Sequence, residues 1–232
     1  MNKKQIILFT AIIMLCSFKT FGQLGGSVDD IQIILPNPDN PNDKAYFEER
    51  AKQVVGQMNN YISTMASKNT SSPKRWKKRK DCLGLFVSNG EPFEEEGGRT
   101  NIAKMEVTSL NNSETRTAPV KNYFTALINL IEKGKYESIT ITSTEISQMQ
   151  VSSLKKLSDT LYQCTVSFAQ KFVGIRGERI AYADVTKKTA TVYFVKYRTA
   201  IGEEFLPYLF NIKANAPQPI DVRGNQQMPL NY

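Results

Sequence analysis

The chain has 232 residues, of which 30 are Lys or Arg and 22 are Asp or Glu, so its formal net charge is +8. It contains no histidine, which excludes Ser-His-Asp and Cys-His catalytic systems, imidazole bases and zinc sites built on histidine. Carboxylate, Tyr, Lys and Cys chemistry stays open, but the composition favours a binding module over an enzyme. We predict no catalytic residue, no cofactor and no metal site.

Residues 1–22 have the composition of an export signal. A basic start precedes an apolar run over residues 5–17, and Thr20 and Gly22 place small side chains where a signal peptidase recognises them. We therefore expect an exported protein of the periplasm or the outer envelope that begins at Gln23. Its net charge is then +5, because three lysines leave with the leader. A retained anchor and a lipoprotein modified at Cys16 are the alternatives.

About 210 residues remain after the leader, which is enough for one domain with its own core. Residues 23–43 are predicted to form an extended arm, with a short edge strand at residues 31–35 and then a Pro- and Asn-rich break. The domain itself is predicted over residues 44–215. A loose tail is expected at 216–232, where Pro, Gln and Asn dominate and periodicity is lost.

Helical periodicity is typical of the first half of the domain. Apolar residues recur every three or four positions over 44–66, which predicts a long amphipathic helix. A second helix is expected to start at Ser72-Pro73, and a third to run from Thr117 to a stop at Gly134. An irregular strand pair is predicted between them, at residues 93–98 and 102–108.

The second helix carries the most unusual composition in the chain, six cations around the only tryptophan. We call residues 74–80 the basic segment; its members are Lys74, Arg75, Trp76, Lys77, Lys78, Arg79 and Lys80. One hypothesis is a site for anionic lipid or glycan at an envelope surface. The alternative is a solvated helix face offset by the glutamates at 94–96, with Trp76, Cys82 or Leu83, and Phe86 as its buried side.

After Gly134 the apolar period changes to two, which predicts β-strands. The central one covers residues 161–173, with an apolar face at even positions, and it is flanked by strands at 139–142, 179–186, 189–197 and 205–214. Lys187-Lys188 is interpreted as the connection between two of these strands. Short connections favour antiparallel neighbours.

The order of these elements resembles that of the NTF2-like cone superfamily, which includes SnoaL-like and ketosteroid-isomerase-like proteins. The resemblance covers roughly residues 44–214 and depends on the element order, on Leu85-Phe86 before the hairpin, and on residues 124–131 leading into 136–142. It implies an α+β fold in which three helices of the N-terminal half pack on a bent antiparallel sheet. It also implies a pocket at the open end of the cone, although no catalytic motif aligns.

Six residues on the predicted strands are candidates for ligand contact. Asp184 shares its strand face with Tyr182, and a carboxylate on an apolar face has a raised pKa or a cationic partner, for which Lys171, Arg179 and Lys187 are candidates. The set is Phe168, Gln170, Phe172, Tyr182, Asp184 and Tyr193.

Two cysteines remain after removal of the leader, Cys82 and Cys164. They form either a disulfide that closes a long loop or two separate buried thiols.

The sequence predicts an exported, non-enzymatic binding module that binds a small apolar or amphipathic ligand, or a partner protein of the envelope, through the aromatic face of the sheet. One alternative is a scaffold subunit of an envelope complex that docks on an anionic surface through the basic segment. The weaker alternative is an enzyme that uses a carboxylate–Tyr pair. Nucleic acid is not an expected partner of an exported protein, and the oligomeric state stays open, with a homodimer among the options.

Overall fold

The computed structural model describes residues 35–95, 98–200 and 202–220. These residues contain three helices: α1 (Lys44–Ala66), α2 (Ser72–Leu83) and α3 (Val120–Glu132). They also contain eleven strands, which in chain order are β1 (Phe93–Glu94), β2 (Thr100–Asn101), β3 (Lys104–Ser109), β4 (Asn112–Pro119), β5 (Ser138–Ser143), β6 (Gln150–Val151), β7 (Lys155–Ser158), β8 (Leu161–Arg176), β9 (Arg179–Thr199), β10 (Gly202–Ala214) and β11 (Gln218–Pro219).

The predicted leader (1–22) and most of the predicted arm and tail lie outside the described residues, as does the predicted edge strand except for Leu35. The described part of the arm contains one 3-10 turn, Pro41–Asp43. At the other end the sheet extends beyond the predicted domain, because β11 pairs with Val185 and Asp184 of β9. The backbone N–H of Asn215 donates to the Lys187 carbonyl over 2.9 Å, which holds the chain against β9.

The sheet is mostly antiparallel, in the order β4-β3-β10-β9-β8-β5, with β6 and β7 also on β8. The predicted antiparallel neighbours β8, β9 and β10 are confirmed. The β3–β10 pair is parallel, which corrects the expectation of a purely antiparallel sheet. Bulges interrupt β9 at Ala181, opposite Gly174 and Ile175 of β8, and β10 after Leu209, and such bulges bend the strand that carries them.

Two predicted boundaries were wrong: one missed a strand, and the other divided one strand into two. Residues Asn112–Pro119 form β4, paired with β3, so α3 begins at Val120 and not at Thr117. Residues 179–199 form one continuous strand, so Lys187-Lys188 lies in the middle of β9 and is not a connection.

The apolar face of α1 packs on one end of the β8–β9 ladder. Phe47, Val55, Met58 and Ile62 are almost fully buried. The Phe47 ring meets Phe194 of β9 edge-on at 5.1 Å between ring centroids, a favoured aromatic geometry. The predicted α+β fold with three helices and one large sheet is therefore confirmed. No helix in the described ranges is long and apolar enough to cross a membrane.

Candidate ligand-binding cavity

A cavity of about 400 Å³ lies between α3, the β3–β4 hairpin and the parts of β8 and β9 that α1 leaves uncovered. It is lined by Val107, Thr108, Ser109, Asn111, Tyr123, Ala126, Leu127, Leu130, Lys135, Tyr136, Gln170, Phe172, Tyr182, Asp184, Thr186 and Lys188. Volumes in this range are typical of small-molecule sites.

One wall of the cavity is a stripe of polar side chains on a single strand. Tyr182, Asp184, Thr186 and Lys188 are alternate residues of β9 and all line the cavity, because alternate side chains of a strand share one face. In the adjacent strand Gln170 pairs in register with Thr186, and Phe172 pairs with Asp184. The register of two strands thus brings one amide, one carboxylate, two hydroxyls and one amine to the same wall.

The opposite wall is a helix face. Tyr123, Ala126, Leu127 and Leu130 of α3 are spaced three and four residues apart, so they lie on one side of the helix. The aliphatic and aromatic side chains of this face give the cavity an apolar side across from its polar stripe.

Tyr182 and Asp184 form a hydrogen-bonded pair in the polar wall. The Tyr182 hydroxyl donates to Asp184 Oδ2 at 2.5 Å, and it accepts from the backbone N–H of Leu110 at 2.9 Å. Asp184 is only 5% exposed. Burial raises the pKa of the Asp184 carboxyl above its ordinary value, although the Tyr182 hydrogen bond and the charge of Lys188 act in the opposite direction.

Lys188 is the most buried cation of the wall, at 8% exposure. Its Nζ donates to Gln170 Oε1 at 2.8 Å, and Gln170 Nε2 donates to Asn59 Oδ1 of α1 at 3.1 Å. Nζ also lies 5.8 Å from the centre of the Tyr123 ring. Burial lowers the pKa of Lys188 to about 8, partly opposed by the charge of Asp184.

Aromatic rings close one side of the cavity around a glycine. Phe172 meets Tyr136 and Tyr182 edge-on, at 6.0 and 5.7 Å between ring centroids. A Cβ atom added to Gly174 would lie 2.6 Å from Tyr136 Cε1. Glycine is therefore needed here for the Tyr136 ring to lie flat against β8.

Four of the six predicted ligand contacts line this cavity: Gln170, Phe172, Tyr182 and Asp184. The other two do not. Phe168 is buried in the core, and Tyr193 stacks on Phe210 at 5.3 Å between ring centroids, because odd positions of β9 face away from the stripe.

The expected partners of Asp184 also need correction. Lys171, Arg179 and Lys187 were the candidates, but the groups that act on its pKa are Tyr182 and Lys188. Lys188 was missed because two adjacent lysines were interpreted as a turn. The even-numbered positions of the sequence do indicate its place, because residues 182, 184, 186, 188, 190, 192 and 194 share one face of a single uninterrupted strand.

The basic segment lies on α2, and only some of its cations bond to other groups of the protein. Arg75 is buried, and its Nη2 donates to the carbonyl of Ser67, the C-cap of α1, at 2.9 Å. A cation at a helix C-terminus is favourable, so Arg75 stabilises the end of α1. Trp76 is 39% exposed, which corrects the expectation that it is buried; Cys82, Leu83 and Phe86 are buried as predicted.

The remaining cations of the basic segment divide into paired and exposed ones. Lys78 Nζ lies 3.2 Å from Asp81 Oδ2, so Asp81 and not Glu94 or Glu95 supplies the described ion pair of this segment. Arg79 Nη2 donates to the Lys121 carbonyl at 3.1 Å, and its guanidinium lies over the Trp76 ring. Lys74, Lys77 and Lys80 are exposed.

The two cysteines are separate buried thiols, so the disulfide alternative was wrong. Cys82 lies at the end of α2, where its ionised form would raise the pKa of the Tyr123 hydroxyl. Cys164 lies on β8 opposite Val192, and the charge of Glu48 raises its pKa. Burial raises the pKa of both thiols, that of Cys164 to about 12. Among the described residues no group of three acidic or Cys side chains could hold a metal ion.

Several solved structures are similar to the chain, among them the following three. A protein from Kribbella flavida is 13% identical, with a TM-score of 0.39, and the match covers 75% of this chain and 95% of that one. A putative scytalone dehydratase from Novosphingobium aromaticivorans is 11% identical, with a TM-score of 0.37 and coverage of 78% and 93%. A hexachlorocyclohexane dehydrochlorinase from Novosphingobium barchaimii is 9% identical, with a TM-score of 0.38 and coverage of 79% and 96%.

No protein-family model matches the chain, and no curated protein does.

Proposed function

We propose that the protein binds a small amphipathic ligand in the cavity between α3 and the β8–β9 ladder. The observation that carries the proposal is the pairing of an apolar helix wall with a buried polar stripe around about 400 Å³. Ligand sites have this character, a mostly apolar surface with a few polar groups that fix orientation.

The free energy of folding gives a second argument for binding. Asp184 and Lys188 are both more than nine-tenths buried, and burying an ionisable group is costly unless it is well paired. Apolar residues at these two positions would stabilise the fold better. Residues that break the local rules of folding are expected at functional sites.

Blocking the cavity tests the proposal. Ala126 is an exposed helix residue that lines the cavity, so Ala126→Trp places an indole in the cavity without disturbing the core. Asn122→Trp is the matched control, because Asn122 is exposed on the same helix and does not line the cavity. We expect native mass spectrometry to detect a small molecule on the wild type and on Asn122→Trp, and none on Ala126→Trp. Equal retention by all three proteins would contradict the proposal.

The Tyr182–Asp184 hydrogen bond favours a second candidate function, proton transfer on a bound carbonyl compound. A buried carboxylate with a raised pKa is a suitable base near neutral pH, and a tyrosine beside it orients its oxygens. Deuterium uptake next to the carbonyl of cyclohexanone or 2-tetralone, followed by NMR, tests this function. Wild type and the exposed control Asp159→Asn should exchange faster than Asp184→Asn; identical rates would remove this candidate.

We also propose that the protein is exported and begins at Gln23 in its mature form. The support is the basic start, the apolar run and the small side chains at Thr20 and Gly22. Intact-mass measurement of protein from the periplasm or medium tests it, and a mass that includes residues 1–22 would contradict cleavage.

A further inference from the structure

The cavity contains a buried cation that the protein itself does not neutralise. Lys188 is more than nine-tenths buried and lines the cavity. Among the described residues no acidic side chain lies within 4.0 Å of its Nζ, whose partners are the neutral Gln170 oxygen and the Tyr123 ring. A buried ammonium is normally paired with a carboxylate.

Asp184 acts on Lys188 through its charge but forms no direct ion pair with it. It lies four residues before Lys188 on the same strand, so the two Cα atoms are about 13 Å apart at the usual rise of a strand. Its carboxyl accepts the Tyr182 hydroxyl.

The neighbours of Lys188 hold it in place for a ligand. Gln170 accepts from Lys188 through Oε1 and donates through Nε2 to Asn59, so its amide is oriented from both sides. An ammonium has three N–H donors, and Gln170 accepts one of them. Because Lys188 lines the cavity, its other two N–H donors are available to a ligand there.

The rest of the cavity defines the body of the ligand. Leu127 and Leu130 of α3 and Phe172 of β8 line the same space, and they favour an aliphatic or aromatic group. Asp184, at the other end of the stripe, provides an acceptor for a hydroxyl or amide N–H.

From this arrangement we infer that the ligand is an amphipathic carboxylic acid, whose carboxylate binds the Lys188 ammonium and whose apolar body lies against α3. The inference rests on the proposed ligand-binding function and specifies its chemical class. A carboxylate accepts charge-assisted hydrogen bonds, which are about twice as strong as neutral ones.

Each acid and its carboxamide have nearly the same shape, so comparing their affinities isolates the contribution of the carboxylate charge. We would titrate wild type by calorimetry with 1-naphthaleneacetate, 4-phenylbutyrate and decanoate, and with the carboxamide of each acid. We expect at least one acid to bind about tenfold or more tighter than its amide, as for a hydrogen bond to a charged group. If no acid binds better than its amide, the inference is wrong, and this comparison needs no variant to fold.

Two variants then test whether the Lys188 ammonium causes the preference for the acid over its amide. Lys188→Met should abolish the preference for the acid, so that acid and amide bind equally. Lys187→Met is the matched control, because Lys187 is the adjacent lysine, exposed on the opposite face of β9, and it should keep the full preference. A preference that survives in Lys188→Met, or that disappears in Lys187→Met, would contradict the inference.

The blocked variant separates this inference from the proposed function. If Ala126→Trp prevents binding of acids and amides alike while wild type does not distinguish them, the cavity binds ligands and only the carboxylate inference fails. If Ala126→Trp binds every probe as wild type does, the cavity is not the ligand site and both proposals fail.

Discussion

The β8–β9 ladder has two halves that share one face and differ in chemistry. In the packed half (residues 162–166 and 190–194), Tyr162, Cys164 and Val166 pair with Phe194, Val192 and Ala190, and all six are almost fully buried. In the cavity half (residues 168–172 and 184–188), Phe168, Gln170 and Phe172 pair with Lys188, Thr186 and Asp184.

The backbone does not explain this difference, because both halves belong to the same antiparallel pairing. The packed half is covered by Phe47 and its neighbours on α1. In the cavity half Phe168 is also buried in the core and Gln170 bonds Asn59 of α1, but the other residues line the cavity opposite α3. Inward-facing polar residues on an otherwise apolar strand face therefore set the cavity half apart from the packed half. We expect the packed half to stabilise the protein and the cavity half to bind the proposed ligand.

The largest effect is expected in the packed half. Phe194→Ala should lower the free energy of unfolding by about 3–5 kcal/mol, because it removes a fully buried ring and leaves a hole. Phe172→Ala, in the cavity half, should cost less than half of that, because Phe172 is only partly buried beside an existing cavity. Urea denaturation of the two variants measures both values, and equal losses would contradict the division.

The next effect depends on pH and belongs to Lys188, which faces Gln170, Tyr123 and the field of Asp184. Below pH 8 the amine is charged in the folded and unfolded protein, and its burial cost is fully present. Between pH 8 and 10.5 only the unfolded state keeps the proton, so the free energy of unfolding rises with pH. The two pKa values correspond to a gain on the order of 3 kcal/mol, complete above pH 10.5.

Lys188→Met should lack this gain. Subtracting the free energy of unfolding of the variant from that of wild type at each pH cancels the contributions of all other titrating groups. Denaturation curves between pH 7.5 and 10.5 measure it. Curves that stay parallel across this range would show that Lys188 keeps an ordinary pKa in the folded protein.

Gly174→Ala should perturb the cavity half through its wall of rings. The added methyl overlaps the Tyr136 ring, and overpacking of this kind costs about 1–3 kcal/mol. Ligand binding should fall as Tyr136 is displaced. Adding Tyr136→Leu to Gly174→Ala should restore most of the lost stability in thermal unfolding; an additive loss in the double variant would show that the ring is not the cause.

The smallest effect on folding is expected from the exposed lysines of the basic segment. Changing Lys74, Lys77 and Lys80 to Gln should alter the free energy of unfolding by less than about 0.5 kcal/mol and leave cavity binding unchanged.

The same triple variant tests the scaffold alternative. Docking on an anionic surface predicts a loss of about 1 kcal/mol per lysine in binding to anionic vesicles. The control changes Lys133, Lys155 and Lys213, which are also exposed, to Gln, and it should bind as wild type does. Equal vesicle binding by wild type and both variants would exclude a docking role for the segment.

The sequence predicts the elements whose periodicity is strong and misses those whose neighbours are distant. The regular apolar spacing of α1 and the alternation in β8 identify both elements correctly. β4 has the polar sequence Asn-Ser-Glu-Thr-Arg-Thr-Ala-Pro, which shows no apolar alternation, and its strand structure depends on pairing with β3. The parallel contact between β3 and β10 joins residues about a hundred positions apart, which local patterns do not report.

The candidate site was predicted in part for the same reason. Gln170, Phe172, Tyr182 and Asp184 follow from parity on two strands, and the structure places them on one cavity wall. Lys188 has the same parity, but a pair of lysines is more typical of a turn than of a buried strand. Its burial depends on two contacts: a hydrogen bond to Gln170, which is itself held by Asn59 of α1, and the ring of Tyr123 on α3. These residues are distant in the sequence and meet only in the folded chain.

Amide NMR of the labelled protein during titration with 1-naphthaleneacetate tests the central claim most directly, because it reports the two halves of the ladder separately. We expect the signals of Gln170, Phe172, Thr186 and Lys188 to shift, while those of Cys164, Val166, Val192 and Phe194 stay in place. Shifts confined to the packed half or to the basic segment would contradict ligand binding in the cavity half.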